Sequence, residues 1–229
     1  MIIIALTTPK SALSAIIIKH YVPVSEGPTT TQNKARLIDV LKNKATYLLI
    51  IPNLLRGIAS GIFALSAVIM LGSVTSSESV SSFLSTILAI SGTLACFIFS
   101  LATKRLSCPS LILLGALIFL PSFALITLFD EIGFMILYFI SSIGMMFVDY
   151  GVPAYLYMSV PSNIMARYSS IRMLTHNAGI AIGSALAGAM LSSGFAFGVT
   201  VIAGVLELLL GISYFVFAKR YGTGSRYNV

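Results

Sequence analysis

Residues 133–158 read GFMILYFISSIGMMFVDYGVPAYLYM. These 26 residues hold one charged side chain, Asp149, and as a helix rising 1.5 Å per residue they would reach about 39 Å. That exceeds the roughly 30 Å of hydrocarbon in a bilayer, so the stretch reads as a membrane span. Asp130 and Glu131 stand before it and Arg167 follows it. Runs of the same kind recur at 46–72, 80–102, 110–128, 165–192 and 197–218. Basic residues fall in alternate gaps. Lys34, Arg36, Lys42 and Lys44 precede the first run, and Lys104 and Arg105 separate the second from the third. Arg167 and Arg172 stand at the start of the fifth, and Lys219, Arg220 and Arg226 follow the sixth. The gaps 73–79, 129–132 and 193–196 hold Glu78, Asp130 and Glu131 but no Lys or Arg. The positive-inside rule places both termini in the cytoplasm.

Composition agrees with a polytopic membrane protein. The chain is 57% hydrophobic and 9% charged, with a mean hydropathy of +0.99. A soluble domain of 229 residues could not hide that much apolar surface, so lipid must solvate much of it. The net charge of +7 does not indicate nucleic acid, because the cations sit at span ends, where they orient the chain and meet anionic lipid. Cys96 lies inside a span and Cys108 in a loop, which argues against a disulfide between them, and their spacing is not that of metal ligands. No cofactor is expected.

Three segments follow from this reading. Residues 1–33 form an apolar stub and a cytoplasmic linker: Met1–Leu6 and Ser11–Ile18 are too short to span, and YVPVSEGPTTTQN at 21–33 is linker-like. The stub is not a convincing signal peptide. Residues 34–221 form the six-helix bundle, entered through a short amphipathic helix at Lys34–Asn43 with Leu37, Val40 and Leu41 on one face. Residues 222–229 form a cytoplasmic tail. The expected fold is all-α, an integral membrane bundle of six transmembrane helices in the plasma membrane.

Polar side chains within the spans are the candidate functional residues, because hydrocarbon penalises them. Arg56 shares a small, polar helical face with Asn53, Gly57 and Ser60. It either points into a cavity or snorkels to headgroups. Asp149 shares a face with Ser142, Met145 and Pro153, and Pro153 removes a helical hydrogen bond nearby. A lock with Arg56, proton uptake and contact with substrate all fit Asp149. Tyr150 adjoins it. His176 is either a helix–helix hydrogen-bonding residue or a proton carrier, and Asn177 lies beside it. Glu207, between Gly204 and Gly211, is expected on a face that meets another helix. Small residues form ridges: Gly57 and Gly61 in the first span, then Thr175, Gly179, Gly183 and Ala187 in the fifth, with Asn177, Ala181, Ala185 and Ala189 on a second face. Two ridges on one helix indicate partners on two sides. No nucleotide-binding, zinc-protease or nucleophile-elbow motif is present, so an enzyme is not expected.

The order LLRGIASGIF, ATKRLSCPS, DYGVPAYLYMSVP, SNIMARYSSIRM and HNAGIAIGSALAG resembles the C-terminal six-helix half of a major facilitator superfamily transporter, over residues 34–221. The basic turn at 103–109 keeps Lys104 and Arg105 but lacks the acidic residue and glycines of the family's loop. The resemblance implies half of a twelve-helix fold. The first, second, fourth and fifth helices would line a central cavity and the third and sixth would lie outside. Arg56, Asp149, Tyr150, His176 and Asn177 would then be substrate or ion-coupling candidates, and Glu207 a structural residue on a peripheral helix. The implied function is alternating-access transport of a small solute, driven by an ion gradient. The implied partner is a missing N-terminal half, a sister subunit or a second copy. The alternative is a stand-alone six-helix binding or scaffold protein, such as the substrate-capture subunit of an importer.

Overall fold

The structure, a computed structural model, describes residues 50–74, 80–160 and 162–221. The stub, the linker, the amphipathic segment at 34–43 and the tail at 222–229 lie outside these residues. Six helices follow in order: α1 (Ile50–Val74), α2 (Val80–Ala102), α3 (Cys108–Leu125, extended by a 3-10 turn, Ile126–Leu128), α4 (Glu131–Ser159), α5 (Ser162–Ser192) and α6 (Ala196–Tyr221). All six are long and apolar enough to cross a membrane. The protein is an all-α integral membrane bundle, and its spans agree with the sequence reading to within a few residues.

Local chemistry sets the ends. Asp130 caps α4 by accepting the Gly133 N–H at 3.0 Å, as its position before the first helical turn favours. Pro109 occupies the first turn of α3, where its missing N–H costs nothing. The turn from α5 into α6 needs Gly194, whose φ of +79° suits glycine. The N–H groups of Gly194 and Phe195 close onto the carbonyls of Leu191 and Met190 at 3.0 and 2.9 Å, a Schellman ending.

The helices pack in a defined order. α1 lies along α5, and α4 along α2. α3 packs on α4, α6 on α1, and α3 and α6 on each other. Exchanging the first three helices for the last three leaves these principal neighbours unchanged. Because three spans precede α4, the second triplet starts from the opposite side of the membrane, so the two triplets have inverted topology. The apolar core divides accordingly. One cluster joins the C-terminal part of α1 to the N-terminal parts of α4 and α6, around Phe63, Phe119, Phe123 and Tyr138. A second gathers Ile112, Val152, Tyr155 and Tyr214 at the opposite end, and a third, small one joins Ala95, Leu111 and Phe147 of α2, α3 and α4.

The closest approach is between α1 and α5. A Cβ on Gly57 would run into the His176 carbonyl, one on Gly61 into that of Ile180, and one on Gly183 into that of Ile58. On Gly179 it would stand 2.5 Å from the Leu54 carbonyl oxygen. Ala187 is fully buried on the same ridge, and Ser184 Oγ donates to the Gly61 carbonyl at 3.4 Å. The Gly57–Gly61 and Gly179–Gly183–Ala187 ridges therefore meet each other. The second α5 ridge does not pack against the other described residues: Asn177, Ala181, Ala185 and Ala189 are exposed. The α2–α4 seam is built differently, from Phe99 against Phe147 and Tyr150 at ring separations of 5.8 and 5.9 Å.

Filling the glycine seam should be costly. Gly57→Val and Gly183→Val are expected to lower stability by about 1–3 kcal/mol through overpacking. Gly72→Val, at a site where nothing lies within 4 Å of the added Cβ, should change it far less. Thermal unfolding in detergent compares the three, and equal melting of all of them would refute the backbone contact.

Candidate functional site

Arg56 stands on the second turn of α1, one residue before the first glycine of the seam with α5. Its side chain turns into the bundle and is buried. Snorkelling is thereby replaced by pairing: Arg56 Nη2 meets Asp149 Oδ1 of α4. Asp149 remains 30% exposed while the guanidinium is 6% exposed, so the carboxylate is the wet partner and the arginine the dry one. An arginine at the bilayer centre costs at least about 2.5–3.5 kcal/mol to insert, and a buried cation deprived of its partner costs more than one never paired. Pro153, one turn beyond Asp149, lacks the N–H that would have bonded the Asp149 carbonyl, although α4 runs unbroken through it.

A cavity of about 470 Å³ lies beside the pair. Its wall comes from α1 (Ser60, Phe63), α2 (Ser85, Leu88), α4 (Tyr138, Met145, Asp149) and α5 (His176). Phe63 and Tyr138 stack there, with ring centroids 5.1 Å apart and planes 7° from parallel. No residue of α3 or α6 reaches it. The cavity is of the size that encloses small organic ligands.

Adjacent residues on a helix diverge by about 100°, and this separates the remaining candidates. His176 lines the cavity, whereas Asn177 turns away and is exposed. Tyr150 faces α2, where its hydroxyl donates to the Gly92 carbonyl at 3.1 Å. It borders a separate apolar depression with Thr93, Cys96 and Phe97. The structure thus brings Arg56, Asp149 and His176 together and leaves Tyr150 and Asn177 apart from them.

On the dry side of Arg56, α6 contributes a second polar set. Glu207 is buried, and neither of its carboxylate oxygens has a hydrogen-bond partner among the described residues. It and Arg56 act on each other electrostatically within the core. Tyr214, two turns further along α6 and fully buried, accepts a hydrogen bond from Asn53 Nδ2 at 3.4 Å. The flanking Gly204 and Gly211 face α3, at Leu120 and Ala116, so the face of Glu207 meets protein and not lipid. Nothing in the residues around Glu207 singles out Arg56 as its neighbour. The only signal in the sequence is the charge itself, which an apolar span would not carry into lipid.

No protein-family model matches the chain, and no curated protein or solved structure matches it either.

The ion pair yields a direct expectation. In a double-mutant cycle with Arg56→Gln and Asp149→Asn, the double variant should lose less stability than the two singles added together, by about 1 kcal/mol or more. Melting temperatures of the purified variants give the cycle, and additive losses would show that the two residues are not coupled.

Proposed function

We propose that this protein is a membrane transport protein of the major facilitator type, forming one six-helix half of a pathway that moves a small solute by alternating access. The observation that carries the reading is the cavity: its walls come from α1, α2, α4 and α5, with α3 and α6 behind them. This is the division of labour that the family resemblance implies. The unchanged neighbour order on exchange of the two triplets supports the same reading, since such transporters nest inverted three-helix repeats within each half. Asp149 is the proton or ion-coupling residue, Arg56 its counter-charge, and His176 a polar contact for solute. The termini face the cytoplasm of a cell in whose plasma membrane the protein resides. The reading assigns the chain no enzymatic chemistry.

The second half of the pathway is a separate partner, either a sister subunit, a further segment or a second copy. It docks on the face formed by α2 and α5. Asn177 is exposed there among Ala181 and Ala185, and an amide facing lipid would be poorly solvated, whereas small residues admit a neighbouring helix closely.

Alternating access can be tested without knowing the solute. With Cys96 and Cys108 replaced by serine, a cysteine at Ser60 should react with a membrane-impermeant maleimide from both sides of native membranes. Labelling from one face only would identify a static binding subunit, and labelling from neither would leave a scaffold. A cysteine at Ala181 should form cross-linked species in the same membranes, and its failure to do so would remove the α2–α5 face as a docking site.

A further inference from the structure

The cavity wall has a definite sign. Among the described residues its one charged side chain is a carboxylate that is partly open, Asp149, and the arginine paired with it is shut behind the wall. The rest of the lining is mostly apolar or aromatic, with Phe63 and Tyr138 stacked and two polarisable thioethers, Met145 and Met146. An anion would need the guanidinium, which is not accessible. A hard metal ion would need about six oxygen ligands, several of them anionic, and the wall supplies one carboxylate, two serines, the Tyr138 phenol and the His176 imidazole. Aromatic faces and thioethers favour a cation that carries apolar groups.

Such a cation can reach Asp149 only by competing with Arg56. A guanidinium released into the core without another partner would be an unpaired buried charge, and this would oppose binding. The core already holds a place for it. Glu207 is 2% exposed, both its oxygens lack hydrogen-bond partners among the described residues, and Arg56 Nε has an unused donor. α3, which packs on α6, brings no charge, since CPSLILLGALIFLPSFAL contains none. Among the described residues Arg56 is the charge that acts on Glu207, while Arg172 of α5 acts on Arg56 itself. Arg56 thus answers to two carboxylates, Asp149 at the cavity and Glu207 sealed in the core.

We propose that the cavity takes a small organic cation at Asp149, and that Glu207 holds Arg56 while the cation is bound. The proposal deepens the transport reading, from which it takes the cavity as a solute site. Glu207 is in this scheme a positioning residue: it touches no solute and acts through Arg56.

Tetraphenylphosphonium and tetraphenylborate, alike in shape and opposite in charge, are suitable probes. Their binding to the purified full chain in detergent can be measured by equilibrium dialysis, with thermal unfolding run on every variant. Asp149→Asn should weaken the cation at least tenfold and leave the anion unchanged, while Asp149→Glu should retain most of the cation affinity. Arg56→Gln should tighten the cation several-fold, because the competitor is gone. Glu207→Gln should weaken it several-fold in the native background and have no effect when Arg56→Gln is already present. Indifference of the cation to Asp149→Asn, or an equal response of the anion, would overturn the substrate class. An effect of Glu207→Gln that persists without Arg56 would overturn its holding role. Should Asp149→Asn fail to fold, the sign of the Arg56→Gln change decides the substrate class, and the Glu207→Gln effect with and without Arg56→Gln decides the holding role. Dialysis reads binding without movement, so a chain that binds the cation yet labels from one face only would retain this site and lose the transport reading.

Discussion

A guanidinium cannot rest in hydrocarbon without a counter-charge, and the position of Arg56 imposes that requirement on the whole bundle. α1 must bring it against α4 at Asp149, and the core behind it must be polar enough to accept its remaining donors. Asn53, Tyr214 and Glu207 make that core polar from α1 and α6, although Arg56 Nε and both Glu207 oxygens have no hydrogen-bond partner among the described residues. Lipid offers no hydrophobic force to drive helices together, so the approach itself has to come from shape. The glycines between α1 and α5 supply it, and they bring the backbone of His176 onto Gly57. The polar layer and the closest helix contact thus lie at the same level of the molecule.

The two carboxylates illustrate how burial divides one chemistry into two roles. Asp149 has the cavity on one side and Arg56 on the other, whereas Glu207 is buried in the bundle. Asp149 is therefore open to the cavity. Glu207 has no such opening, and its environment is set by how α6 packs on α1 and α3.

Much of the architecture is legible in the sequence because hydropathy and charge are local properties. Six runs of the right length, with acids on one set of gaps and bases on the other, locate the helices to within a few residues, and Asp130 and Pro109 mark two of the starts. Helix rotation is not local. The two small-residue ridges of α5 are equivalent as sequence, and only packing shows that Gly179, Gly183 and Ala187 face α1 while Ala181 and Ala185 do not. The pairing of Asp149 with Arg56 is a contact between distant parts of the chain; the sequence offers it as one of several roles for two intramembrane charges of opposite sign, and packing selects it. Tyr150 and Asn177 each adjoin a cavity residue in sequence, and the 100° step per residue is enough to explain why they face elsewhere. The glycines beside Glu207 mark a face that meets another helix, as it does, and the family resemblance implies a structural role on a peripheral helix; its electrostatic interaction with Arg56 is not legible in the sequence.

The contrast between the two seams has a mechanical consequence. Where α1 meets α5, backbone lies on backbone at the glycines, and the short Ser184 and Ala187 side chains at the seam leave little rotamer freedom to absorb a displacement. That pair behaves as a single strut. Where α2 meets α4, aromatic rings lie between the backbones and can tilt or slide past one another at little cost. Strain applied across the cavity would be taken up at the aromatic seam, which makes α2 the compliant wall and the glycine-packed pair the fixed one.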